Sequence, residues 1–301
     1  MRGSEEVLKK ILALGIAVCM FALSGLSEIM PNEETYPAYR LIYNEEELAS
    51  WKVSEYLDKS GLILSAFLGN AEITVSVNEM NGKNTPEEYL SYYLSSASRY
   101  AEILTQDDFS VWDGISGEKG ASVRYTYRYT KGEDTDHTYQ TNLYACKVGD
   151  AHYAVFTLNV SGDEDAETII WFEGGFLPGV SIENVNVSHE CLAYLKDAEE
   201  MEGRAYLTLD FCAVKYDASI FTIFTVNDEP ADYKYPIAED ALIWTADTDG
   251  ALYGMKRADT NAEALKKEIG DYYARNQMHG IYRVLFNEKH EIIWMTHYNA
   301  F

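Results

Sequence analysis

Six histidines, three cysteines beyond residue 27 and a large excess of carboxylates are the side chains here that could do chemistry, and their spacing supports little of it. His137, His152, His189, His279, His290 and His297 make neither an HxxxH pair nor an HExxH motif, the helix spacings that turn two imidazoles toward one zinc ion. His189-Glu190-Cys191 sets three ligand types side by side, but read on a helix, neighbouring side chains diverge by about 100° and cannot converge on one ion. Asp247-Thr248-Asp249-Gly250 resembles part of a calcium loop, yet with Gly250 at the sixth position the first ligand is Thr245 and the twelfth is Lys256, where a bidentate Glu is required. A solvated turn is the expectation there. Nucleophilic hydrolysis needs Ser or Cys beside a base, and no Gly-x-Ser-x-Gly elbow occurs. The glycines of Gly114-Ile115-Ser116-Gly117-Glu118-Lys119-Gly120 lack the Gly-Lys-Ser/Thr ending of a phosphate loop and read as a turn. The expectation is therefore no catalytic motif, no bound metal and no cofactor. A pair of carboxylates acting on a glycosidic bond stays open, because their separation is a spatial property.

Cys146, Cys191 and Cys212 are odd in number and form no CxxC pair, so neither a disulfide framework nor a zinc knuckle is implied. Cys146 and Cys212 sit in alternating apolar runs, where a thiol serves as a small buried hydrophobe. The residues suited to a binding surface are Trp51, Trp112, Trp244 and Trp294, with Trp171 assigned to the core on the apolar face of a helix.

Forty-nine acidic residues against 24 basic ones leave a net charge of -25. A phosphate backbone demands clustered Lys and Arg, and no such cluster exists, so nucleic acid is excluded as an expected partner. The same charge opposes adsorption to anionic lipid and suits solubility, a cationic partner or a divalent ion. With 47% hydrophobic residues the 301-residue chain is globular, and its length points to two modules.

The N-terminus runs from Arg2 and Lys9-Lys10 through the apolar stretch Ile11 to Phe21 to the small residues Ala22-Leu23-Ser24-Gly25-Leu26-Ser27, the order of a secretory signal. Residues 1–27 are read as that signal or as an uncleaved anchor, the chain's one expected membrane contact. Lipidation at Cys19 is a third reading, against which Val18 is bulkier than a lipobox prefers.

The elements follow from periodicity. Gly61 to Leu68 and Ala71 to Val77 read as strands joined at Gly69-Asn70. Thr85-Pro86-Glu87-Glu88 opens a helix with a cap, a proline at its first position and a capping box. Its apolar face recurs at three and four residues to about Leu104. Strands follow at Ser122 to Tyr129, Thr138 to Lys147 and His152 to Val160, then a closing helix over 163–176. The Glu-rich stretch Ser188 to Gly203 reads as a linker helix. Beyond it, strands are expected at Ala205 to Val214, Ile220 to Val226 and Ala241 to Thr245. A helix opened by Thr260-Asn261-Ala262-Glu263 runs to about Arg275, and a final hairpin joins Gly280 to Phe286 with His290 to Tyr298.

The helix opener Thr85-Pro86-Glu87-Glu88-Tyr89, the Gly117-Glu118-Lys119-Gly120-Ala121 approach to a tyrosine-rich strand, the Tyr139 and Tyr153 hairpin and the closing Thr168-Ile169-Ile170-Trp171-Phe172 resemble the PsbP/Mog1-like fold. The resemblance covers about half the chain and implies a curved antiparallel sheet with one long and one closing helix. It also implies a non-catalytic binding scaffold of no particular ligand. The stretch Tyr235-Pro236-Ile237-Ala238-Glu239-Asp240-Ala241-Leu242-Ile243 with the helix and hairpin after it resembles a small domain of exported Gram-positive proteins. The expected organisation is thus α+β: a signal over 1–27, a PsbP/Mog1-like module over 28–187, a linker helix over 188–203 and a small antiparallel β-rich module with one helix over 204–301. The function expected is an exported envelope binding or accessory protein, with an envelope protein or wall polymer as partner. A secreted carboxylate hydrolase of wall polymer and a calcium-dependent surface protein are the alternatives.

Overall fold

A computed structural model describes residues 36–57, 61–130, 137–161, 166–217, 222–227, 230–246 and 255–298. Residues 1–27 with Cys19, the Asp247-Gly250 turn and the first turn of the closing helix lie outside them. The described residues are mostly β-sheet with three α-helices, and the chain divides into two compact units, Tyr36–Asn186 and Val187–Phe301.

In the first unit the strands are β1 (Tyr36–Ile42), β2 (Lys52–Glu55), β3 (Gly61–Leu68), β4 (Ala71–Glu79), β5 (Ala101–Gln106), β6 (Ser110–Trp112), β7 (Gly120–Tyr129), β8 (Tyr139–Val148), β9 (His152–Ser161) and β10 (Ser181–Val187). An antiparallel sheet runs in the order β2-β3-β4-β9-β8-β7-β5, with β6 beside β7, while β1 pairs with β10. Strict alternation along β4 buries Ala71, Ile73, Val75 and Val77 on one face. On β3 the neighbours Ile63 and Leu64 are both buried because a bulge there sets one residue of β4 against two of β3. The central strand β8 is covered on both faces, from Gln140 to Cys146.

Helix α1 (Pro86–Ala97) lays Tyr89, Leu90 and Leu94 on one face of the sheet against Val123, Tyr125, Leu143, Tyr153 and Val155. The other face is closed by α2 (Ala166–Trp171) and the π-turn Phe172–Phe176 that follows it, through Ile169, Phe172, Phe176 and Leu177. Thr85 caps α1 as its type predicts, its Oγ1 accepting from the Glu88 amide at 3.2 Å. The Glu88 carboxylate reaches the Asn84 amide, one residue earlier than a strict capping box. The helix stops at Ala97 and does not run to Leu104. Ser95, Ser96 and Ser98 turn their hydroxyls back onto carbonyls of the last turn, and residues 101–106 pair with β7 as an edge strand, leaving Tyr100 and Leu104 exposed.

The second unit contains β11 (His189–Met201), β12 (Arg204–Asp217), β13 (Thr222–Val226), β14 (Tyr233–Ala246), β15 (Met255–Arg257), α3 (Ala262–Asn276), β16 (Ile281–Phe286) and β17 (Ile292–His297). The expected linker helix over 188–203 is therefore a strand of this unit. Cys191, Leu195 and Ala198 fall at spacings of four and three, which reads as a helix, but the buried set is Cys191, Ala193, Leu195 and then Ala198. That is strand alternation broken once, where Leu195 and Asp197 face consecutive residues of β12 and Lys196 is extra.

β11 pairs with β12, β12 with β14, β14 in parallel with β17, β17 with β16, and β16 back with β11. The ring closes. Five strands in the order one-two-three-five-four, with the α-helix between the third and fourth, make a barrel of the OB type, in which the parallel β14–β17 pair departs from the small antiparallel module expected. α3 packs on β11 with Leu265 fully buried. Its cap is Asn261, whose Oδ1 accepts from the Ala264 amide at 2.8 Å, so the helix opens one residue after Thr260.

Candidate ligand cleft of the C-terminal barrel

Three chain segments far apart in sequence meet at one end of the barrel. β11 and β12 join through the two-residue turn Glu202-Gly203, both at positive φ, and this tight hairpin delivers Arg204. β16 and β17 join through residues 287–291, a turn held by the Asn287 side chain, whose Oδ1 accepts from the Lys289 and Glu291 amides. The third segment comes from β14. Between Ile237 and Leu242 it runs five residues while β17 advances only two, so Ala238 to Ala241 leave the ladder and the exposed Glu239 and Asp240 stand at the barrel end.

These segments and Thr260 enclose a cleft of about 790 Å³. On its rim Arg204 Nη2 donates to the Ile237 carbonyl at 3.1 Å and to Glu291 Oε1 at 2.8 Å, and Asn287 Nδ2 donates to Glu291 Oε2 at 2.8 Å. The bonds from Asn287 and Arg204 hold the Glu291 carboxyl below its ordinary range. Glu291 is thus a fixed anion, unsuited to donating a proton near neutrality. The network ties the first hairpin, the β14 excursion and the last hairpin into one frame. Lys289 and Glu239 line the same cleft beside Thr260, and the Lys289 charge helps to hold the Glu291 carboxyl down. Donors and acceptors of both signs suit a polar ligand rich in hydroxyl or amide groups.

The tryptophans singled out for a binding surface do not line it. Trp294 is 1% exposed, with the Arg283 guanidinium 5.6 Å from its ring, and Trp244 is buried one strand over. Trp51 is buried and stacks on Trp171 at 5.4 Å, while Trp171 Nε1 donates to Glu47. Trp112 is half-buried, edge-on to Tyr144 and Phe156. The aromatic cluster that does reach the surface is made of tyrosines on β7 and β8. Tyr127 stacks on Tyr139 at 5.4 Å, and the exposed Tyr129 stands edge-on to both.

The histidines are dispersed. His152 Nδ1 lies 3.0 Å from the Tyr39 hydroxyl, His297 Nε2 is 3.2 Å from the Tyr272 hydroxyl, and the His189 and His290 rings sit 5.2 Å apart at the last hairpin. His189-Glu190-Cys191 lies on a strand, so its side chains alternate between faces. Cys191 is buried in the barrel and Glu190 takes a bond from Arg283. Among the described residues no three His, Cys, Asp or Glu side chains stand where they could share a metal ion. Cys146, Cys191 and Cys212 are free thiols. Burial pushes Cys146 and Cys212 up to about 11 and Cys191 higher than its ordinary value as well, which leaves little thiolate to react. The Gly114 to Gly120 stretch is a tight turn. Gly114 has φ +69°, and a Cβ there would lie 1.7 Å from the Glu118 carbonyl oxygen.

The cleft residues Arg204, Glu239, Asn287, Lys289 and Glu291 carry no motif. Asn287-Glu288-Lys289 shows in sequence only as a hairpin turn.

No family model matches the chain, and no curated protein matches it in sequence. Among solved structures, the chain is similar to cyanobacterial PsbP from Synechocystis at 10% identity and a TM-score of 0.29, covering 48% of this chain and 93% of that one. It is also similar to the Ran-binding protein Mog1p of Saccharomyces cerevisiae, at 11% identity and a TM-score of 0.24, covering 42% and 82%.

Proposed function

We propose that this chain is an exported bacterial envelope protein that binds its ligand without transforming it, and that the barrel cleft is where a wall polymer or an envelope protein is held. One observation carries the reading: the Arg204–Glu291–Asn287 network fixes the rim of a cleft that the exposed Lys289 and Glu239 also line. Turns one-two and four-five of such barrels are where oligosaccharides and other polymers dock, and here they flank the cleft. Export is supported by the basic, apolar and small-residue order of residues 1–27. A PsbP/Mog1-like scaffold for the first unit is supported by its succession of paired strands, long helix, five strands and closing helix. The net charge of -25 suits a soluble protein working among cationic or neutral polymers.

The test is co-sedimentation of residues 28–301 with purified cell-wall polymer, alongside Lys289→Glu and Glu239→Lys, both exposed positions whose reversal spares the core. Binding that falls at least fivefold in either variant, with the polymer chain length unchanged, is the expected result. Variants that bind like the parent would remove the cleft from the reading, and shortening of the polymer would replace binding by hydrolysis.

A further inference from the structure

A second cavity, of about 220 Å³, opens on the sheet of the first unit. Its floor is a cross-strand pair. Arg124 on β7 stands opposite Asn142 on β8, and Arg124 Nε donates to Asn142 Oδ1 at 2.8 Å. Asn142 is 2% exposed, and its Nδ2 has no hydrogen-bond partner among the described residues. Buried amide donors are nearly always paired, so a lone one lining a cavity marks a place for an acceptor that arrives from outside. The Arg124 guanidinium spends only its Nε on Asn142, which leaves its terminal nitrogens facing the same space.

The opposite wall has the reverse character. Tyr144 donates its hydroxyl to Glu173 Oε1, which orients that carboxylate over the cavity, and Asp107 and Asp108 complete the wall. One side seeks an acceptor and the other seeks a donor. With three carboxylates against one guanidinium, a simple anion is repelled. A simple amine satisfies the acidic wall but leaves Asn142 Nδ2 unpaired. A group carrying both signs a few ångströms apart answers both walls. The volume, room for about seven waters at ~30 Å³ each, is on the scale of a small amino acid.

We propose that this pocket binds a free α-amino acid, with the carboxylate taken by Arg124 and Asn142 Nδ2 and the ammonium by Glu173, Asp107 and Asp108. The site lies in the first unit and is independent of the barrel cleft. The buried Asn142 amide is the reason it can discriminate: a site built to hydrogen-bond a group rejects analogues that lack it.

The experiment is isothermal titration of residues 28–301 with glycine and both enantiomers of alanine, against N-acetylalanine, alaninamide and glucose. A free amino acid is expected to bind at least tenfold tighter than either blocked form, because each blocked form leaves one wall unsatisfied. Arg124→Gln, at an exposed position, and Asn142→Leu are each expected to lower that affinity at least tenfold. Asp107→Asn combined with Asp108→Asn should weaken the free amino acid while N-acetylalanine, relieved of repulsion, binds no worse than to the parent. Thermal melts report folding, and Arg124→Gln carries the test should Asn142→Leu fail to fold. No heat from any amino acid, equal affinity for the blocked forms, tighter binding of glucose, or an Arg124→Gln protein that binds like the parent would each overturn the assignment.

Discussion

Asp210 on β12 shows how a charged side chain is kept buried. It is 3% exposed, and burial alone pushes its carboxyl up. Bonds from Asn227 Nδ2 at 2.7 Å and the Ala231 amide at 3.2 Å, with Lys196 Nζ at 3.1 Å, outweigh that and hold it below its ordinary 3.8. Glu291 is held down through Asn287 and Arg204, and His279 is lowered from 6.5 by burial and by Lys196. All three shifts are depressions, so the unfolded chain takes up protons first as pH falls. Their stabilisation is whole above the unfolded values and is lost on acidification, His279 beginning below about 6.5 and the carboxylates below about 4. The urea midpoint of the barrel is therefore expected to fall from pH 7 to pH 3. Asp210→Asn should cost about 3 kcal/mol at pH 7, since it leaves Lys196 and two donors around a neutral group, and should flatten the acid limb. A variant with the parent's midpoint and slope would show that Asp210 contributes nothing as a charge.

Among the elements, the two helix openings differ in what their residues do. Thr85 accepts from the Glu88 amide, while at α3 the accepting side chain is Asn261 and Thr260 lies outside the cap. Thr85→Ala and Asn261→Ala are each expected to lose about 1 kcal/mol in chemical denaturation, with Thr260→Ala within about 0.5 kcal/mol of the parent. A loss at Thr260 equal to that at Asn261 would mean that the helix starts one residue earlier. At this scale a good part of the fold was legible. The β4 alternation, the Thr85 cap and the three strands of β7 to β9 depend on neighbours a few residues away, and those neighbours are in the string. β11 was not legible, because Cys191, Leu195 and Ala198 have a helical spacing until the bulge at Lys196 is known, and the bulge exists only through pairing with β12. The end of α1 failed likewise. Tyr100, Ala101 and Leu104 keep the apolar period, yet β7 recruits residues 101–106 as its edge.

At the scale of the molecule, each unit has its own set of buried residues, and the barrel closes its five-strand ring using residues of 187–301 alone. Ring closure pairs each of these five strands on both sides. Residues 187–301 produced alone are accordingly expected to show a single cooperative thermal transition with strand circular dichroism. A broad, non-cooperative melt would show that the barrel depends on the first unit.

The sequence alone determined the α+β class, the acidic net charge, most strand positions and the absence of the common local motifs. These are composition and short-range pattern, set by the preferences of adjacent residues. The tertiary structure decided what each tryptophan packs against and that 189–201 is a strand of a barrel. It also brought Arg204, Glu239, Asn287 and Glu291 to one cleft and left the Asn142 amide unpaired in another. Each of those depends on pairing between segments tens of residues apart, where register, and not residue type, chooses what a side chain meets.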